Sequence, residues 1–158
     1  MFTYAPGQDP SYDEDETLAA TYGMAVAHMH NALAHFSSPH DRFPLDLDHL
    51  INSPLQAIQS QLHLLNRADD WDYLQRLANE VQRQLAALPI IDLEQGHCHG
   101  DFHGWNAHIS PDKKLTFFDF DCCGWGWRAY EIAVFRWSFC MFGNKNADEC
   151  WEQYLQGY

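Results

Sequence analysis

The segment from Gly100 to Asp121 most constrains what this chain of 158 residues can fold into. Asp101 and Asn106 stand five residues apart around Gly100 and Gly104, a spacing that suits a tight loop better than a helix face, because glycine permits backbone conformations that residues with a Cβ resist. Residues 107–109 and 115–118 are short apolar runs separated by Ser110-Pro111-Asp112-Lys113-Lys114. That pattern predicts a hairpin whose second strand delivers Asp119 beside the loop. Three polar side chains then converge: an Asp able to orient an attacking hydroxyl, and two sources of hard oxygen able to hold a metal on phosphates. Phosphoryl transfer with Mg²⁺ asks for little more from a protein than this positioning.

His99-Gly100-Asp101 with Asn106 resembles the catalytic loop H-G-D-x-x-x-x-N of the aminoglycoside phosphotransferase and choline kinase superfamily, small-molecule relatives of the protein kinases. Phe118-Asp119-Phe120-Asp121, followed by Gly124, Gly126 and Tyr130-Glu131-Ile132-Ala133, resembles that superfamily's metal-binding segment and next helix. Residues 22–30 are similar to the helix that opens its C-terminal lobe, and residues 2–10 to the hinge leading in. The resemblance implies an α+β, mainly α-helical fold: a protein-kinase-like C-terminal lobe with a small catalytic β-hairpin. It also implies an ATP-dependent phosphotransferase that uses Mg²⁺ and ATP to modify a small-molecule hydroxyl. Asp101 would be the base, Asn106 and Asp119 would hold Mg²⁺, and His99 would brace the loop. Asp121 would lie in a second shell around the metal or pair with Arg128, since side chains two apart on a strand share a face.

The pieces upstream of such a loop are not recognisable. A strand lysine and a glycine-rich turn over the phosphates should precede Asp101. The lysines are Lys113, Lys114 and Lys145, all after it, and the glycines before Gly96 are Gly7 and Gly23. The expected organisation is therefore one partial domain without an N-terminal nucleotide-binding lobe: a hinge-like start (1–12), a helical part (13–95), the catalytic and metal-binding segment (96–127), and C-terminal helices (128–158) shorter than the family's. Such a chain is expected to be inactive alone and to self-associate through the face the missing lobe would cover.

Composition narrows the partners. A formal net charge of −13 disfavours nucleic acid, whose binding relies on Lys and Arg, and favours a cationic substrate. No apolar run approaches the ~20 residues of a membrane span, so the cytoplasm is the expected compartment. Five cysteines, an odd number with Cys122 and Cys123 adjacent, argue for reduced thiols.

Periodicity predicts helices. Leu18, Tyr22, Ala25, Val26, Met29, Leu33 and Phe36 form one stripe, after an acidic run (13–16) suited to a helix start. Trp71, Leu74, Leu77, Val81, Leu85 and Leu88 form another, opened by Asp69 or Asp70 as cap and stopped at Pro89. Residues 37–54, with three prolines, read as loop with a short helix after Ser53. Two helices follow the catalytic segment, near 128–142 and 147–156.

Rival readings exist for each motif. Asp-x-x-x-x-Asn alone is common in turns. Gly100-Asp101-Phe102-His103-Gly104 also reads as the metal-binding segment of a metallophosphoesterase, although its downstream partners reduce to Gly143-Asn144-Lys145. His97, Cys98, His99, His103 and His108 could be transition-metal ligands, and Asp119-Phe120-Asp121 could be a D-x-D motif. His28 and His30 read as buried structural histidines. The aromatic string from Trp125 to Phe142 reads as core and interface rather than a substrate box. Another class, a truncated pseudokinase-like module that only binds a partner, fits the missing lobe.

Overall fold

The computed structural model describes residues 4–12, 15, 17–89, 92–141 and 146–158. Phe2, Asp13, Glu14, Glu16, Phe142, Gly143, Asn144 and Lys145, to which parts of these expectations attach, lie outside the described residues.

The first stripe forms α1 (Leu18–Leu33), burying Leu18, Ala19, Tyr22 and Val26, while Phe36 falls past its end and is exposed. The proline-rich stretch is more ordered than expected. It contains β1 (Pro44–Leu45) and a π-helical turn (Asp48–Asn52) running into α2 (Ser53–Leu64), with Pro54 in the first turn, where a missing N–H costs nothing. The second stripe forms α3 (Ala68–Ala86), but neither Asp69 nor Asp70 caps it. Arg67 holds the cap position and pairs with Asp70, and both acids sit in the first turn, where the helix dipole favours negative charge. Neither α2 nor α3 has a buried residue; they pack on each other to one side of the core.

Residues 95–127 contain β2 (Gln95–Cys98), β3 (Ala107–Ile109), β4 (Leu115–Phe117) and β5 (Gly124–Trp127). The expected hairpin is present: β3 and β4 pair antiparallel with Ala107 opposite Phe117 and Ile109 opposite Leu115. The second sheet, in the order β1-β5-β2 with β1 parallel and β2 antiparallel to β5, had no signal in hydrophobic alternation. Helices α4 (Arg128–Met141) and α5 (Ala147–Gly157) complete the fold close to the expected bounds.

The core lies where α1, α4 and α5 meet the loop before β3. Gly23 and Gly157 let α1 and α5 nearly touch, since a Cβ at Gly23 would lie 2.1 Å from the Tyr154 carbonyl oxygen and one at Gly157 2.0 Å from that of Ala20. Tyr22 sits at the centre, against Phe102, Phe117, Phe135 and Tyr154. Each such ring contributes about 1.5–3 kcal/mol on burial. Phe102, inside the candidate catalytic loop, is completely buried, so the loop is anchored by the main core. Within the aromatic string, Phe135 and Phe139 are core as expected, whereas Trp125 and Trp137 are exposed. His30 is buried as expected, but His28 is exposed. No described helix is long and apolar enough to cross a membrane. The five cysteines, all described, form no disulfide.

Candidate active site

Strand β2 ends at Cys98 and releases the chain into His99 and Gly100. Gly100 has φ +86°, a left-handed conformation costly for a residue with a Cβ, and a Cβ there would lie 2.1 Å from the Cys122 carbonyl oxygen. The loop is thus pressed against the 3-10 turn Phe120–Cys122 that follows the second acidic segment. His103 N–H donates to the Asp101 carbonyl at 2.9 Å and Asn106 N–H to that of His103 at 3.0 Å, folding residues 101–106 into consecutive turns.

Asp101 and Asn106 are in direct contact. Asn106 Nδ2 donates to the Asp101 carbonyl at 2.8 Å and to its carboxylate Oδ2 at 3.3 Å, leaving Asn106 Oδ1, the atom able to ligate a cation, outside these bonds. The Asn106 carbonyl accepts the Phe118 N–H at 3.2 Å, which brings the loop within one residue of Asp119. His99 is fully buried and ties the same segments: Nε2 donates to the Phe118 carbonyl at 2.8 Å, so Nδ1 is the acceptor that meets the Asp101 N–H at 3.4 Å. Its ring lies between Phe102 and Phe120.

Asp119 is exposed and left-handed, with φ 66° and ψ 55°. A conformation costing about 1–2 kcal/mol for an L residue persists only where its surroundings impose it. The Cys122 thiol is pushed up first by burial and then by the carboxylates of Asp101, Asp119 and Asp121. All three sequence-predicted acids are therefore close enough to act on one thiol. Asp121, however, lies in the 3-10 turn and not two residues along a strand from Asp119, and it does not pair with Arg128. Arg128 binds the Glu94 carboxylate and the His30 carbonyl, each at 2.8 Å. The Asp121 carbonyl instead accepts from Arg42, which also reaches the Cys123 carbonyl at 3.0 Å.

Glu131 is a residue that sequence reasoning missed. Completely buried, it accepts the Gly100 N–H at 2.9 Å through Oε1 and the His30 Nε2–H at 2.5 Å through Oε2, while the Tyr158 hydroxyl lies 2.9 Å from His30 Nδ1. A chain of polar groups thus runs from the end of α5 to the peptide before Asp101. Tyr130, one residue earlier, places its hydroxyl 3.4 Å from the Gly100 carbonyl, and its pKa is raised by burial first and by Asp101 second.

The rival histidine centres do not assemble. His97 packs on Phe36 and Trp125, His99 is committed to Phe118, and His108 meets the Ala5 carbonyl and Asp9. Among the described residues, the one group of three His, Cys, Asp or Glu ligand atoms is His30, Cys98 and Glu131 in the interior. Its His–Glu contact already occupies those atoms.

Known proteins resemble the chain along its length. An uncharacterised protein of Deinococcus radiodurans is 37% identical over 161 residues, covering all of this chain and 45% of that protein. An uncharacterised protein of Synechocystis sp. is 33% identical over 135 residues, covering 85% of this chain and 37% of that protein. The chain spans less than half the length of either relative. Among solved structures, the amicoumacin kinase hAmiN, in complex with AMP-PNP, Ca²⁺ and Ami, superposes with a TM-score of 0.68 at 21% identity, over 98% of this chain and 46% of that one. At that identity the likeness concerns the fold. The sequence model of the phosphotransferase enzyme family matches residues 1–158, and the chain belongs to that family.

Proposed function

We propose that this chain is the C-terminal, catalytic lobe of an ATP-dependent small-molecule kinase. The observation that carries the reading is the bolting of base to metal segment: Asn106 holds the Asp101 carboxylate with its side chain and the Phe118 peptide, next to Asp119, with its backbone. Asp101 accepts the proton of a substrate hydroxyl as that oxygen bonds to the γ-phosphorus of ATP and the bond to the bridging oxygen of ADP breaks. Asn106 Oδ1 and the Asp119 carboxylate are hard oxygen donors and fit Mg²⁺, which neutralises charge on the phosphates when bound. His99 and Glu131 position the loop without touching substrate. Asp121, exposed beside Asp119, fits the outer sphere of the metal.

The parts that cradle ATP belong to an N-terminal lobe outside these 158 residues. Residues 4–12 then form the hinge, with Gln8 exchanging backbone hydrogen bonds with Ile109 at 3.0 and 2.8 Å. The exposed face beside them lets the isolated chain self-associate, and light scattering that finds a monomer at all concentrations removes this part. The chain's acidic net charge suits a cytoplasmic enzyme that does not bind nucleic acid.

A phosphate-transfer assay tests the function. In a longer protein carrying the upstream lobe, Asp101→Ala should lower kcat by about two to four orders of magnitude with ATP binding retained, and Asp119→Ala should weaken metal–nucleotide binding as well. The 158-residue chain alone should not transfer phosphate. Transfer by the chain alone, or an unaffected Asp101→Ala, refutes the reading.

A further inference from the structure

Gly104 stands between Asp101 and Asn106, where a Cβ would lie 2.8 Å from the Tyr12 hydroxyl oxygen. Glycine leaves the peptides on either side of it free to rotate, and Asn106 is close by in the chain. Two buried tyrosines remove that freedom. The Tyr22 hydroxyl donates to the His103 carbonyl at 3.0 Å, and the Tyr12 hydroxyl donates to the Gly104 carbonyl at 2.9 Å. These carbonyls belong to the two peptides that flank Gly104, so each plane is held by its own hydroxyl. The His103 carbonyl is also the acceptor of the Asn106 N–H, and the Trp105 N–H, on the opposite edge of the second plane, donates to His103 Nδ1 at 3.2 Å. Burial is the first cause that raises the pKa of each phenol well above its ordinary value, so both oxygens keep the proton they donate. Neither tyrosine belongs to the loop. Tyr12 closes the entry segment 4–12, and Tyr22 projects from α1.

Resting on the phosphotransferase reading, we propose that Tyr12 and Tyr22 are positioning residues whose hydroxyls lock the peptides around Gly104 and so keep the Asn106 side chain on the Asp101 carboxylate. Neither hydroxyl touches substrate. A buried carbonyl deprived of its donor turns toward another, and glycine gives it the freedom to do so. Asn106 then shifts, and with it the bond to Asp101 and the Oδ1 that ligates the metal. Replacing either tyrosine by phenylalanine removes one oxygen and keeps the ring in the core, which separates this role from packing.

Hydrogen exchange followed by NMR on the 158-residue chain tests this without nucleotide or metal. Tyr22→Phe should speed exchange of the Asn106 N–H by more than about tenfold, because the two donors share the His103 carbonyl. Tyr12→Phe should do the same to the Trp105 N–H, which lies in the peptide whose carbonyl loses its donor. The amides of Val26 in α1 and Phe135 in α4 should stay within about twofold of the parent in both variants. Tyr73→Phe, exposed on α3, should change none of these rates. Thermal melts establish that each variant is folded. In the longer protein, each variant should lower kcat by about tenfold or more while KM for ATP stays within about twofold, since small misplacements of positioned groups cost up to about 10²-fold. Parental exchange at residues 105 and 106, exchange that rises as much in α1 and α4 as in the loop, or an unchanged kcat in both variants overturns the proposal. Local loosening in the chain, with no phosphate transfer by the unsubstituted longer protein, leaves the two hydroxyls assigned and removes the phosphotransferase reading instead.

Discussion

Removing the Glu131 carboxylate should unsettle the loop from Gly100 to Asn106 from a distance. Glu131→Ala deprives two buried donors of their acceptor, the Gly100 N–H and the His30 Nε2–H, and nothing else in those contacts replaces it. At about 1–3 kcal/mol for each orphaned donor, with a further contribution from the void, the loss is about 3–5 kcal/mol. Domains of this size are stable by only about 5–15 kcal/mol, and each kcal/mol moves the melting temperature by roughly 2–4 °C, so the midpoint should fall by about 6–20 °C. Glu131→Gln is the informative companion. Its amide oxygen still accepts from Gly100, and its NH₂ can donate to Nε2 if His30 moves its proton to Nδ1, where the Tyr158 oxygen accepts it. That variant should lose no more than about 1–2 kcal/mol. Urea and thermal unfolding of the chain measure both. If Glu131→Ala unfolds within about 0.5 kcal/mol of the parent, as a surface substitution would, the polar chain does not hold the loop.

Asp119→Gly should stay within about 1 kcal/mol of the parent because glycine accepts the left-handed backbone, whereas Asp119→Val should lose about 1–2 kcal/mol; both should abolish Mg²⁺-dependent AMP-PNP binding in the longer protein, read by calorimetry. Cys98, buried and with its thiol pushed up to about 12 by desolvation and then by Glu131, should resist iodoacetamide in the folded chain far longer than exposed Cys140, as mass spectrometry can follow. Asp15 is held at about 2 by hydrogen bonds from Lys113 and Thr17, so what it adds to stability is present above the ordinary carboxylate range and is lost as pH falls toward 2. In Lys113→Ala the Asp15 titration followed by NMR should move upward; an unmoved midpoint would show that Lys113 does not set it.

The sequence made the hairpin and the acids around it legible because their signals are local. Gly100, the run from Ser110 to Lys114 and the flanking apolar residues specify a loop and a turn within about twenty residues. The three-stranded sheet escaped notice because strands of two to four residues are too short to show alternation, and β5 inverts the usual rule. In Gly124-Trp125-Gly126-Trp127 the glycines face inward, because β1 and the residue before it pass so closely that a Cβ at Gly124 would lie 2.4 Å from the Phe43 carbonyl oxygen and one at Gly126 2.7 Å from Leu45 Cβ. Glu131 had left a trace. It shares a helix face with Arg128, Phe135 and Ser138, all buried, and an acid in such a row implies an internal partner. Arg42 left none, since a cation in a polar, proline-rich stretch reads as solvated surface.

The partners that matter most at the site come from outside it. Phe102 is anchored under Tyr22 of α1, Gly100 is held by Glu131 of α4, His99 reaches across to Phe118, and the turn after Asp119 is clamped by Arg42 from the stretch before β1. Each attachment joins residues far apart in sequence, so the loop's conformation is a property of the folded domain. Asp119 shows why this is needed. On one side its neighbour Phe118 is fixed to Asn106 and His99, and on the other the 3-10 turn closes through Cys123 N–H to the Phe120 carbonyl at 3.0 Å. The left-handed residue between them has no freedom to relax. The domain's packing therefore offsets the cost of holding Asp119 in that conformation.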